Sequence, residues 1–352
     1  MGERSNTIFY YRVVFWCVCI LLTLFVFLSF IQTPGLNSNP IAMFADYVDG
    51  SASKPFAYRI LVPLVVRAVA AVLAQGVGIS VLDSLQSECV LRDFFVYVSW
   101  EEDLLVEYLV ACLLAYLSLV GFVLALRYLV RSVFELPAFF VDGVTIFSIC
   151  MLPIFFCYGS YLYDFPALFF FTLLLALMVN GRWLWFIFVF VASCLNKETT
   201  ILVTLLFFAH FFGGKRMGRA LFNKLLAFQI LAFSTVKAAL FLVFAGNEGH
   251  FVWFELNRNI GVLGAVIPRL VLYALPAAFF VFYRWQAKPS FLKNGLWVIA
   301  ALLYLNLAFG FIDELRDYYE LYPVVILSAC HTLLLLFGIR VRLNAMNERL
   351  VA

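Results

Sequence analysis

Two aspartates three residues apart, Asp46 and Asp49, lie in the stretch FADYVDG, which Gly50 closes. Carboxylates at this spacing can act as a general base, as paired ligands for a divalent cation, or as both. They can equally be turn-forming residues of a solvated loop. A second polar run, CLNKETT, sets Asn196, Lys197 and Glu198 between two apolar stretches. A third, GFIDELRDYYELYP, packs Asp313, Glu314, Arg316, Asp317 and Glu320 together, with Arg316 and Glu320 spaced to pair on a helix turn. In YGSYLYDFP, Asp164 follows three tyrosines, and Pro166 comes two residues later. Lys237 and Arg269 interrupt otherwise apolar runs, and HFVWFELNR adds Glu255, Arg258 and, more weakly, His250. The three histidines are far apart and no cysteine pair has zinc-site spacing with them, so the metal ligands, if any, are Asp46 and Asp49.

The elements that position these residues must sit in a membrane. Of 352 residues, 65% are hydrophobic and 13% charged, with 41 Phe, 17 Tyr and 7 Trp; a soluble domain runs near half and a quarter. No aqueous fold of this size hides that much apolar surface. A spanning helix needs about 20 mostly apolar residues. Ten stretches qualify as candidate spans: 13–31, 104–126, 138–157, 165–180, 183–195, 199–212, 220–245, 263–283, 295–312 and 321–338. The first has basic flanks and no small-residue cleavage site after it, and reads as an uncleaved anchor. The expected fold is an all-α polytopic transmembrane bundle, one domain over 1–352.

Charge orients the bundle. With the N-terminus inside and strict alternation, 15 of the 24 Lys and Arg fall in inside loops; the inside sums to +11 and the outside to −8. That is the positive-inside asymmetry, with both termini cytoplasmic. Residues 32–103 then form one long external loop. Its apolar segment from Tyr58 to Ala74 is expected to lie in the interface with Arg59 and Arg67 at headgroup level, followed by a short helix over Glu88–Trp100. Making 57–74 span would require a second crossing at 89–100, which is short and carries Arg92 and Asp93.

Depth sharpens the picture. The spans 183–195 and 199–212 hold 13 and 14 residues, about 20 and 21 Å of helix, against a hydrocarbon core of about 30 Å. Their tip, with Lys197 and Glu198, stops roughly 10 Å short of the outer surface, where charges are costly unless they face a polar cavity. The alternative is an internal Lys197–Glu198 ion pair that only holds the bundle. Lys237 and Arg269 fall at a similar depth, about 9–12 Å below the outer boundary. Three cations at one level suggest an anionic headgroup held there.

A long first external loop with an Asp pair, two interfacial helices and an all-helical bundle resembles the GT-C superfamily of membrane glycosyltransferases. More narrowly, YRILVPL after that loop, NKET in a short hairpin and ELRDYYELYP before the last span resemble a group of small bacterial polytopic proteins of that architecture. The resemblance implies a polyprenyl-phosphate or polyprenyl-diphosphate sugar donor, a glycan or lipid acceptor, and action at the outer face of the inner (plasma) membrane. It also implies an acidic first-loop residue as base or metal ligand. Asp46 and Asp49 depart from the family's usual D-x-D or E-x-D spacing, which leaves open which Asp acts and whether a divalent cation takes part. No large soluble C-terminal domain is expected, so acceptor recognition would rest on the loops. Transfer from a polyprenyl phosphate needs a base for the acceptor hydroxyl and cations for the developing phosphate charge. Asp49, then Asp46, is the expected base. Arg59, Lys197, Lys237, Arg269 and Arg316 are the phosphate candidates, and Glu198 and Glu314 would orient those cations. Asn196, Asp164, Glu255 and Arg258 complete the expected site. A transporter or flippase accounts equally well for a broken hairpin and buried charge, and a non-catalytic subunit of an envelope-polymer machine predicts that no buried charge is essential.

Overall fold

The structure, a computed structural model, describes residues 2–32, 35–37, 42–76, 89–156, 159–213 and 216–339; of these, the side chains at 2–7, 74–76, 89–92 and 269–270 lie outside the description. The chain is all-α, with fourteen α-helices and no named strand among the described residues. In order they are α1 (Gly2–Gln32), α2 (Phe44–Asp49), α3 (Leu61–Gly76), α4 (Cys89–Tyr97), α5 (Leu105–Val133), α6 (Ala138–Met151) and α7 (Asp164–Val179). Then come α8 (Trp183–Asn196), α9 (Ile201–Phe211), α10 (Arg219–Val243), α11 (Leu256–Phe282), α12 (Ser290–Asn294), α13 (Leu296–Phe309) and α14 (Tyr322–Leu336).

Among the described residues, six stretches are long and apolar enough to cross a membrane: Ile8–Gln32, Glu102–Val133, Ala138–Phe156, Arg219–Val243, Ser290–Phe309 and Leu315–Leu336. Helix α11 bends by 78° between Leu256–Pro268 and Val271–Phe282 and makes a seventh if it counts as one span. The expected ten are therefore reduced. Helices α7, α8 and α9, with 16, 14 and 11 residues, fall below the roughly 20 needed to cross. The physical cause is visible at their ends. Asp164 starts α7 by accepting the Tyr161 N–H at 2.8 Å, and Lys197 breaks the hairpin with an extended backbone.

Side-chain contacts sort the helix ends into two groups. At one end Tyr11 of α1, Arg127 of α5 and Asp142 of α6 meet. The same end joins His210 of α9 to Asn294 of α12, Lys288 to Thr332 of α14, and Thr332 to the Phe280 carbonyl of α11. The opposite end joins the α8–α9 tip to α10, Lys197 to the start of α14, and Asn259 of α11 to the end of α13. The long helices thus alternate in direction between the two ends. Helix α7 lies at the centre, buried along nearly its whole length against α5 and α8. It is apolar on every side because protein surrounds it.

The first-loop helices differ from expectation in one respect. Helix α3 lies near the predicted place and buries Val62, Val66 and Ala70, spaced by one helix turn, while Leu64 and Val72 stay exposed. Arg59 precedes it and turns inward instead of standing at the headgroup level. The described part of the second helix, α4, is anchored by Phe95 and Trp100 against Tyr108 of α5, whose ring lies 4.4 Å from Trp100 in a parallel stack.

Candidate functional site

Helix α2 carries the Asp pair. Gly50 caps it in the left-handed region at φ 87°, with its N–H on the Asp46 carbonyl at 3.1 Å. The Asp49 carboxylate accepts the Ser51 N–H at 2.8 Å and is exposed, whereas Asp46 is half-buried and lies 3.4 Å from the Ser51 hydroxyl. Among the described residues no group of three His, Cys, Asp or Glu gathers to hold a metal ion. Between the two aspartates, Tyr47 points into the protein. Its buried hydroxyl has no hydrogen-bond partner among the described residues, and burial pushes its pKa well up, so it stays a donor.

A narrow cleft begins at Tyr47 and Gly50 and is also lined by Arg59, Arg67 and Phe244. The loop is held over it by Asn247, whose side-chain amide donates to the Gly50 and Ala52 carbonyls at 2.9 Å each, and by a bridge from Lys54 to Gly249. From the cleft wall the Arg59 Nε donates to Glu198 Oε2 at 3.1 Å, and Lys237 Nζ reaches Glu198 Oε1 at 3.4 Å. Arg59 also bonds the Tyr163 hydroxyl. Burial opposes the Arg59 charge, but Tyr163 and Glu198 beside it raise its pKa above the ordinary guanidinium range.

A second group lies behind the first. Lys197 Nζ forms an ion pair with Glu320 at 3.2 Å, and Thr199 donates to the same carboxylate. Arg316 contacts Glu314, Asp317 at 3.7 Å and Asp164 at 3.9 Å. Burial raises the Glu314 pKa against the pull of Arg316. Aromatic faces connect the two groups: Arg59 lies 4.3 Å over Tyr163, Tyr163 stacks on Tyr161 at 5.4 Å, and Arg316 lies 4.1 Å over Tyr161. The Asn196 amide fixes this column by donating to the Tyr163 carbonyl at 3.1 Å.

Several buried polar atoms here have no hydrogen-bond partner among the described residues: Asp164 Oδ1, Asn196 Oδ1, Glu320 Oε2, and Arg316 Nε and Nη1. Leaving one such atom unsatisfied costs about 1–3 kcal/mol. These atoms concentrate where the start of α7, the α8–α9 tip and the segment before α14 meet.

The fold therefore brings together Arg59, Lys197, Lys237, Arg316, Asn196, Glu198, Glu314 and Asp164, with the Asp46–Asp49 helix at the cleft mouth. The pairing differs from the sequence expectation. Glu198 does not pair with its neighbour Lys197 but bridges Arg59 and Lys237, and Glu320 takes Lys197 instead of Arg316. Arg258 pairs with Asp313 at 2.7 Å in a more exposed contact, and the Glu255 backbone N–H donates to the Ala308 carbonyl. The backbone of Arg269 lies in α11, and its side chain lies outside the described residues. Arg67 and Tyr163 were not anticipated as site residues. The alternating tyrosines before Asp164 were the only sequence sign of Tyr163, and nothing marked Arg67 as cleft-lining. Comparison with known proteins finds no matching protein family, no matching curated protein and no matching solved structure.

Proposed function

We propose that this integral membrane protein is a glycosyltransferase that moves a sugar from a polyprenyl-phosphate or polyprenyl-diphosphate donor to an envelope glycan or lipid acceptor. It would do so at the outer face of a bacterial inner membrane, with both termini inside. The observation that carries this reading is the cleft where the Asp46–Asp49 helix stands beside Arg59 and Arg67, above buried Lys237. Arg59 and Lys237 share one carboxylate, Glu198, and Arg67 lines the same cleft, so cations outnumber the carboxylate at its inner side, which suits a phosphate. The half behind it holds Lys197 and Arg316 among Asp164, Glu314, Asp317 and Glu320 and is net negative. Its acceptor-rich wall suits sugar hydroxyls.

In the proposed step an acceptor hydroxyl oxygen attacks the anomeric carbon while the carbon–oxygen bond to phosphate breaks. The acceptor proton passes to Asp49 or Asp46, and the electron pair leaves on the lipid phosphate, where Arg59, Arg67 and Lys237 balance the charge. Attack opposite the leaving group inverts the anomeric centre. Replacing the essential Asp by Asn keeps its shape and removes the base, which typically costs about 10²–10⁴ in rate. The purified protein would be assayed with polyprenyl-linked sugars while bound polyprenyl phosphate is followed by mass spectrometry. Asp46→Asn or Asp49→Asn is expected to lose glycan product and keep the lipid. Full product formation by the double variant would move the base elsewhere, to Asp164 first. If the parent protein makes no product from any lipid-linked sugar, the transporter reading moves ahead; the 78° break in α11 favours it, because interrupted helices build transport sites.

A further inference from the structure

One wall of the Asp cleft has no part in the proposed reaction, the side chain of Tyr47. It stands on α2 between the two aspartates and is only 5% exposed. A buried tyrosine hydroxyl ordinarily finds a hydrogen-bond partner, yet that of Tyr47 has none among the described residues. Burial pushes its pKa well up, so at neutral pH it carries its proton. The ring packs edge-on against Tyr163 at 6.4 Å, and Arg59 lies over the same Tyr163 ring at 4.3 Å. Arg59 uses Nε on Glu198 and Nη1 on the Tyr163 hydroxyl, which leaves Nη2 without a hydrogen bond among the described residues. Arg67 stands at Gly50, where a Cβ would lie 3.9 Å from Arg67 Nη1 and 3.9 Å from the Phe244 ring. The two carboxylates of α2 turn to Ser51 instead.

We infer that the Tyr47 hydroxyl binds the ligand directly, donating to one oxygen of a phosphoryl group that Arg59 and Arg67 hold in the cleft. The inference rests on the reading of this cleft as a phosphate site and adds to it a neutral donor outside the cation set. Space selects the kind of contact. The inner volume is about 10 Å³, room for about one oxygen-sized group. A sugar ring does not fit there, whereas a single phosphoryl oxygen does, with the rest of the group outside it. Charge selects the same partner, because a hydroxyl that donates to an anionic oxygen makes a stronger bond than one that donates to a neutral oxygen.

The test titrates the whole detergent-solubilised protein with farnesyl phosphate, farnesol and inorganic phosphate by calorimetry, as parent and as Tyr47→Phe. The variant keeps the ring and removes only the hydroxyl. Affinity for farnesyl phosphate should fall by about 10- to 100-fold, the loss expected for one hydrogen bond to a charged group, while farnesol binding stays the same. The unfolding temperature without ligand should stay level or rise, because the lost hydroxyl has no protein partner. Arg67→Gln, at an exposed position, should weaken farnesyl phosphate in the same direction and checks the site without touching the packed side. A loss confined to farnesyl phosphate assigns a lipid phosphate, and an equal loss with inorganic phosphate assigns a free one; both support the Tyr47 contact. Equal affinity of parent and Tyr47→Phe for every phosphate would overturn it, as would an equal loss of farnesol. If the parent binds no phosphate at all, the phosphate reading of the cleft falls and Tyr47 with it. If the parent binds phosphate through Tyr47 yet transfers no sugar, only the transferase reading falls.

Discussion

At the residue scale, the buried ion pairs decide what each charged side chain can do. Lys197 and Glu320 have side chains only 6% and 2% exposed. Removing one partner of such a pair strands the other charge in an apolar interior and costs about 3–5 kcal/mol, whereas removing both can be nearly neutral. Lys197→Met or Glu320→Gln alone is therefore expected to lower the thermal unfolding temperature in detergent clearly, and Lys197→Met/Glu320→Gln together to recover most of it. Additive losses in the double variant would show that the two side chains do not depend on each other. The Asp46 and Asp49 variants should behave in the opposite way, losing product without losing stability, because neither side chain is part of the packed core.

At the element scale, the first loop matters through its docking. The Lys54 N–H donates to the Glu248 carbonyl at 2.8 Å, and Gly249 follows with φ 88°. A Cβ at Gly249 would stand 2.6 Å from the Lys54 carbonyl oxygen, and the backbone there has no room to give. Gly249→Ala should cost about 1–3 kcal/mol locally and loosen the loop that carries α2, while leaving the distant end of the bundle intact. Hydrogen exchange at the Lys54 amide would rise and product formation would fall. Unchanged exchange would mean that the loop is held by Asn247 and its own packing alone. The α8–α9 tip has a related role: its break at Lys197 sends Lys197 and Glu198, adjacent in the chain, into opposite halves of the site.

At the scale of the whole molecule, the two ends of the bundle have different chemistry. One carries the Asp helix and the mixed-charge cluster; the other carries Arg127 with Asp142 and Tyr11, His210 with Arg216, and Lys288. The positive-inside pattern assigns the first end to the outside and the second to the inside. Ser51→Cys is then expected to react with a membrane-impermeant thiol reagent from outside in intact cells, and Lys293→Cys only after the membrane is opened. Labelling of Lys293→Cys in intact cells would invert the layout and place the Asp cleft in the cytoplasm.

The membrane class, the helical architecture, the short hairpin and the gathering of polar runs at one end were all legible in the chain. Hydropathy and span length are local properties, and the bilayer admits few ways to satisfy backbone hydrogen bonds. The partners were not legible. Lys197 meets Glu320 across 123 positions and Arg59 meets Glu198 across 139, so each pairing depends on how the helices rotate and stack. Apolar helices give little sign of that rotation, since lipid and protein interior are equally apolar to a leucine. For the same reason α7 looked like an ordinary span in the sequence, and only the packing of α5 and α8 around it showed a short central helix whose buried Asp164 faces Arg316.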